Sequence, residues 1–205
     1  MTQWWIDEYK KYHREHRDYG NGGALKFHKQ HIDDLIKDTK AQTLLDFGCG
    51  KAEVYEENDW NWPMPSLYDP AIPEYSTLPD GPFDGILSAD VMEHIPEEQV
   101  PEIIEQIFSR AERFVYLGIS TAPAKAILSN GENAHCTLKP IRWWVDQVEN
   151  HAPKEIYTHI KTYGAPRNQC CNSYEILNEE LYLEWVIENM EINTTQLRER
   201  ATHEL

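Results

Sequence analysis

The chain has 205 residues, 40% of them apolar and 11% aromatic, enough for one domain with a full core. Its formal charge of −16 opposes phosphate backbones, and no Lys/Arg cluster offers a local exception, so nucleic acid is a poor partner. No basic, apolar leader opens the chain and no apolar run approaches the ~20 residues that span a bilayer, which predicts a cytoplasmic protein without membrane contact.

Trp5, Tyr9, Tyr12 and His16 recur at helical spacing and predict an amphipathic helix packed on the domain. Beyond that helix, residues 18–23, Asp-Tyr-Gly-Asn-Gly-Gly, form a flexible glycine segment that can fold over a bound ligand as a lid carrying Tyr19. Leu25, His28, Ile32, Leu35 and Ile36 mark a second helix, on which His28 reads as a helix-face residue.

Thr43, Leu44, Leu45 and Phe47 read as a short buried strand, and Gly48 and Gly50 permit a sharp turn before a helix that opens near Ala52. A helix start offers unpaired N–H groups, and Asp46 at the strand end can accept a ligand's hydrogen bond. Cys49 fits as a small buried residue in the turn, and Cys49, Cys136, Cys170 and Cys171 have no Cys-x-x-Cys spacing. Neither a zinc site nor a disulfide framework is indicated, and no metal is expected.

Residues 58–65 are rich in helix breakers, and Trp60 and Trp62 there either cap a sheet edge or wall a pocket. Asp69 follows the apolar pair Leu67-Tyr68, 23 positions after Asp46, as suits an acid at the tip of the next strand that binds a ribose diol. Prolines in residues 69–75 exclude a regular helix and predict an extended loop across the ligand face. Residues 83–95 give another strand that runs into a polar, helix-leading segment.

Pro96 suits the first turn of a helix whose stripe is Val100, Ile103, Ile104, Ile107, Phe108 and Ala111. Residues 114–119 are a continuous apolar strand of the kind buried between two helical layers. This alternation of strands and helices requires a parallel sheet. Residues 130–137 read as a loop, and Pro140 opens a helix with Trp143, Trp144 and Val148. Residues 155–163 and 173–177 can close the sheet as an antiparallel pair, with residues 167–171 between them, before an amphipathic helix with Leu181, Trp185 and Ile192.

Leu-Leu-Asp-Phe-Gly-Cys-Gly, Tyr68-Asp69, and Phe-Asp-Gly-Ile followed by Asp-Val-Met-Glu-His-Ile together resemble the class I S-adenosylmethionine-dependent methyltransferases across roughly residues 40–120. The resemblance implies an α/β, Rossmann-like, mostly parallel sheet with helices on both faces. It implies one domain over residues 1–205: N-terminal helices and a possible lid (1–40), a cofactor-binding core (41–120), and an acceptor-side loop, closing strands and C-terminal helix (121–205). S-adenosyl-L-methionine would be held by Asp46, Gly48, Cys49, Gly50, Asp69, Pro70, Leu78, Ser88, Ala89 and Asp90, with Tyr19 from the lid. Two positions depart from the family pattern. Ala52 stands where the family has a third glycine, and Leu78 follows Asp69 by only nine positions, so the fold is shortened after the second strand.

Methyl transfer from a sulfonium is an in-line displacement, so the main task is to hold donor and acceptor in line. An acceptor that carries a proton also needs a base, for which His135, His94, Asp90 and Glu93 are the candidates. His94 reads equally as a capping or packing histidine. The expected acceptor is a small molecule or a protein side chain. The alternative is a catalytically inactive S-adenosylmethionine-binding or scaffolding domain, and a nicotinamide oxidoreductase is disfavoured by the glycine spacing.

Overall fold

The computed structural model describes residues 2–21, 23, 25–56, 60–164, 173–184 and 187. Two helices come first, α1 (Gln3–Glu15) and α2 (Leu25–Thr39), as the apolar spacing predicts. The strands are β1 (Leu44–Phe47), β2 (Ser66–Tyr68), β3 (Phe83–Ala89), β4 (Ala111–Ser120), β5 (Tyr157–Tyr163) and β6 (Ser173–Leu177). Helix α3 (Val100–Phe108) joins β3 to β4, and α4 (Ile141–His151) precedes β5.

The strands form one sheet in the order β2-β1-β3-β4-β5-β6, parallel throughout except for the antiparallel β5–β6 pair. This is a Rossmann-like α/β fold, shortened as expected after β2. Between β2 and β3 there is only a turn and a short 3₁₀ segment, Pro73–Tyr75. The extended loop expected over residues 69–75 is replaced by that compact turn, closed by Tyr75 N–H to Ile72 O and Asp69 N–H to Tyr75 O.

Period-two alternation divides the central strands between two cores. Leu45, Phe47, Val115, Leu117 and Ile119 face α3 and α4, while Leu44, Phe114 and Tyr116 face α2. Each such buried side chain contributes roughly 1.5–3 kcal/mol by leaving water. Asp84 fixes the start of the β1–β3 pair by accepting the N–H groups of Gln42 (2.6 Å) and Thr43 (3.0 Å) and pairing with Arg113 (3.1 Å). His28 lies in the α2 core, with Nδ1 2.8 Å from the Tyr116 hydroxyl. Trp60 and Trp62 pack on this same core, and Trp62 donates its indole N–H to Asp33 on α2, so both cap the edge of the domain.

Pro96 does not open α3. It precedes a 3₁₀ turn, Glu97–Gln99, from which the helix continues. Residues 179–184 are helical, while Trp185, Ile192 and residues 167–171 lie outside the described residues. No described helix is long and apolar enough to cross a membrane.

The helix expected near Ala52 is only the 3₁₀ turn Glu53–Tyr55, and Ala52 has left-handed backbone, φ 56° and ψ 18°. That conformation costs a non-glycine residue about 1–2 kcal/mol, against about 0.5–1 kcal/mol of extra chain entropy that a glycine would lose on folding. Ala52→Gly, which a negative φ would make mildly destabilising, is therefore expected to raise stability by about 0.5–1 kcal/mol in urea unfolding.

Candidate functional site

The sheet's C-terminal edge opens into a cavity of about 1460 Å³, where ligands collect in open α/β folds. Its wall is the turn after β1, and consecutive N–H groups there are all committed within the protein. Gly48 and Cys49 donate to Tyr68 O (2.7 and 3.1 Å), Gly50 to Asp69 Oδ2 (3.0 Å) and Lys51 to Gly20 O (2.6 Å). The expectation of unpaired amides at a helix start is thus corrected: the turn presents glycine surface to the cavity, and the element that follows it among the described residues is the 3₁₀ turn Glu53–Tyr55. Gly48 (φ 91°) and Gly50 (φ 56°) are required, because a Cβ would meet Val91 at 2.3 Å and Gly20 O at 2.1 Å respectively.

Asp69 stands at the tip of β2 and lines the cavity. Oδ2 accepts from Gly50 and Oδ1 from Ala71 (2.8 Å), which aims the carboxylate. Burial raises its pKa, partly opposed by those N–H groups and by His13. Asp46 does not reach the cavity. It is buried in β1 and accepts the Tyr55 hydroxyl at 2.9 Å; burial pushes its pKa up to about 7.

Helix α1 and the segment after it roof the cavity. Tyr9 donates to Ala134 O (2.7 Å), Glu8 accepts from the Ser129 hydroxyl (2.6 Å), and Lys51 Nζ binds the carbonyls of His16 and Arg17 (3.3 and 2.5 Å). Tyr19 and Gly20 line the cavity, and Gly20 O accepts from Lys51 N–H in the glycine turn. Tyr9, Tyr12 and His13 also line the cavity and were not among the sequence candidates. The aromatic stripe that contains two of them was the available signal, and it equally describes a helix that packs on a core.

The far end of the cavity is built by the 3₁₀ turn Met92–His94 and the loop at 122–137. Thr137 N–H bonds Glu93 O (3.0 Å) and its hydroxyl bonds Ile95 O (2.6 Å), fastening the loop to the turn. His94 and His135 meet edge to face, 4.6 Å between ring centres. His94 Nδ1 lies 2.9 Å from Ala134 O, and His135 Nδ1 lies 2.6 Å from Ala122 O. Burial and the neighbouring His135 push the His94 pKa down to about 3, so its ring is neutral at physiological pH. Glu93 is fully buried behind them; its Oε1 accepts Ser120 N–H (2.9 Å) and lies 4.0 Å from His135 Nε2. Asp90 follows β3 directly, in left-handed backbone with φ 58°, and lines the cavity.

Of the residues expected at the cofactor, Gly48, Cys49, Gly50, Asp69 and Pro70 share one wall of the cavity, with Ala89, Asp90 and Tyr19 also lining it. Leu78 and Ser88 do not line it. Leu78 packs on the α3–α4 core, and Ser88 is wholly buried in β3. Of the expected catalytic group, His94, His135 and Asp90 line the cavity, with Glu93 beneath. The ligand atoms of Glu93, His94 and His135 lie within 4.8 Å of one another, a set that could hold a cation and that the cysteine spacing did not point to.

Asp46 makes stability depend on pH. With a folded pKa above its unfolded one, its contribution is greatest at low pH and is lost as pH rises through about 7. Asp46→Asn removes that loss, so between pH 5 and 8 the variant should gain on the wild type by on the order of a few kcal/mol. Urea unfolding of both proteins at the two pH values measures the difference.

A family model described as a methyltransferase domain matches residues 14–180, well over half of the chain. Neither a curated protein nor a solved structure matches it. The matched span contains the glycine turn, Asp69, and the Glu93, His94 and His135 cluster, and the chain accordingly belongs to the methyltransferase-domain family.

Proposed function

We propose that the protein transfers a methyl group from S-adenosyl-L-methionine to a small-molecule or protein side-chain acceptor. The observation that carries the reading is the Asp69 carboxylate, aimed into the cavity beside the glycine turn by two backbone N–H groups. Its remaining lone pairs suit the two hydroxyls of a ribose, and the surface of Gly48 and Gly50 admits the methionine end at close range. A drug-sized ligand needs roughly 300–1,000 Å³, so a cavity of about 1460 Å³ has room for donor and acceptor together. The acceptor end is assigned to His94, His135, Glu93 and Asp90. The formal charge of −16 supports an acceptor other than a nucleic acid.

Calorimetry with S-adenosylmethionine, S-adenosylhomocysteine and NAD tests the cofactor: binding of the first two and not the third is expected, and NAD binding alone would remove the reading. Asp69→Ala should lower S-adenosylhomocysteine affinity by roughly 10- to 150-fold, from about 1.5–3 kcal/mol per charge-assisted hydrogen bond. The same change orphans the Gly50 and Ala71 amides, so it should also reduce stability measurably, by about 1–3 kcal/mol for each buried group left unpaired. For the acceptor end, His135→Ala should lower methyl transfer by about 10²–10⁴ while S-adenosylmethionine affinity stays within a few fold. A labelled-methyl screen over metabolite and protein extracts supplies the acceptor for that assay.

A further inference from the structure

The far end of the cavity has the chemistry of a metal centre. Glu93, His94 and His135 each offer a ligand atom, all within 4.8 Å of one another. They come from two segments about 40 residues apart in sequence, and each is separately oriented. His94 Nδ1 is held by Ala134 O and the Tyr9 hydroxyl (3.1 Å), and His135 Nδ1 by Ala122 O. Carbonyl partners at Nδ1 place the proton there and make Nε2 the electron-pair donor, the arrangement by which backbone carbonyls orient metal-bound imidazoles. The loop under His135 is fixed again, since Asn133 Oδ1 accepts the N–H groups of both His135 and Ala124 (2.9 Å each). Ser120 N–H aims Glu93 in the same way.

We propose that Glu93, His94 and His135 bind a divalent first-row transition cation, Mn²⁺, Fe²⁺, Co²⁺ or Zn²⁺, and that this cation presents a hydroxyl-bearing acceptor to the methyl donor. Two imidazoles and one carboxylate select such ions over Mg²⁺ and Ca²⁺, which take oxygen ligands. Ligands about 2.1 Å from a cation lie roughly 3.4 Å apart in a tetrahedron, so atoms that lie within 4.8 Å of one another have to draw in by at most about 1.4 Å. Three protein ligands leave coordination positions open towards the cavity. A cation would add to the groups that already compensate the buried Glu93 carboxylate, Ser120 N–H and His135.

The inference rests on the methyltransferase reading only for its second half. A hydroxyl oxygen that shares a lone pair with the cation loses its proton more readily, and Asp90, on the same cavity, is the carboxylate that takes it. The oxygen–carbon bond then forms as the carbon–sulfur bond breaks. Sulfur keeps the electron pair and leaves as the neutral thioether.

The test uses the full chain, stripped with chelator and titrated with Co²⁺, Zn²⁺ and Mg²⁺ by calorimetry, with Co²⁺ also followed by visible absorption. One equivalent of Co²⁺ or Zn²⁺, no Mg²⁺ at the same concentration, and a four- or five-coordinate Co²⁺ spectrum are expected. Glu93→Gln, which keeps an acceptor for Ser120, and His135→Asn should each weaken Co²⁺ at least ~100-fold, whereas His151→Ala on α4 should not. Failure of the wild type to take up Co²⁺ or Zn²⁺ stoichiometrically overturns the site, as does undiminished binding in both variants. Wild-type uptake and its spectrum decide the matter even if a variant does not fold. S-adenosylhomocysteine binding to the stripped protein separates the two ideas: cofactor binding without metal uptake sinks the cation site alone, and metal uptake without cofactor binding sinks the methyl-donor reading alone. For the acceptor class, turnover that is unaffected by chelator would overturn the cation's role in catalysis.

Discussion

The backbone amides of residues 48–51 constrain the whole site. A turn that reverses the chain after a buried strand leaves its N–H groups in a place where water is scarce, and each must find an acceptor. Here Tyr68 O and the Asp69 carboxylate, both from the end of β2, satisfy three of them, and Gly20 O satisfies the fourth. The need to satisfy this turn therefore draws the neighbouring strand tip and the N-terminal segment to one point. Asp69 acquires its orientation as a by-product, since the hydrogen bonds that quiet the turn also aim the carboxylate into the cavity.

The second determinant is the brevity of the connection between β2 and β3. With only a turn and the Pro73–Tyr75 segment after Asp69, little of this stretch is available to cover the sheet edge. The cover comes from α1, whose Tyr9 packs with Ala71, Ala126, Leu128 and Ala134 in a small core of its own, separate from the two that flank the sheet. Aromatic side chains suit this task because each brings a large apolar face and, for tyrosine, a hydroxyl that can reach a carbonyl.

The strands and main helices were legible in the sequence because their signals are local. The run at 114–119 is apolar without a break, and it lies at the centre of the sheet with every side chain from Phe114 to Ser120 buried; the helical stripe at 100–108 packs as its spacing requires. The glycine turn and Asp69 were legible because residue type and spacing carry the geometry. Ala52 was not: nothing local to an alanine announces a positive φ, and it is the hydrogen-bonded context, Ala52 N–H to Cys49 O and Tyr55 N–H to Ala52 O, that holds it there. That Asp46 and Ser88 lie away from the cavity lining was not legible for a related reason, since a strand's two faces and its buried interior look alike in a short apolar run. The meeting of Glu93 with His135 was out of reach from sequence, because it depends on a loop being fastened to a distant turn through Thr137.

The roof also ties the N-terminal segment to the sheet edge. Gly20 O accepts from Lys51 N–H in the glycine turn, and Lys51 Nζ reaches the carbonyls of His16 and Arg17, so the backbone of residues 16–20 and the turn after β1 hold each other in place. A change in either part is felt by the other: a substitution that shifts the turn disturbs the carbonyls of the N-terminal segment, and one that displaces that segment leaves the Lys51 amide without its acceptor.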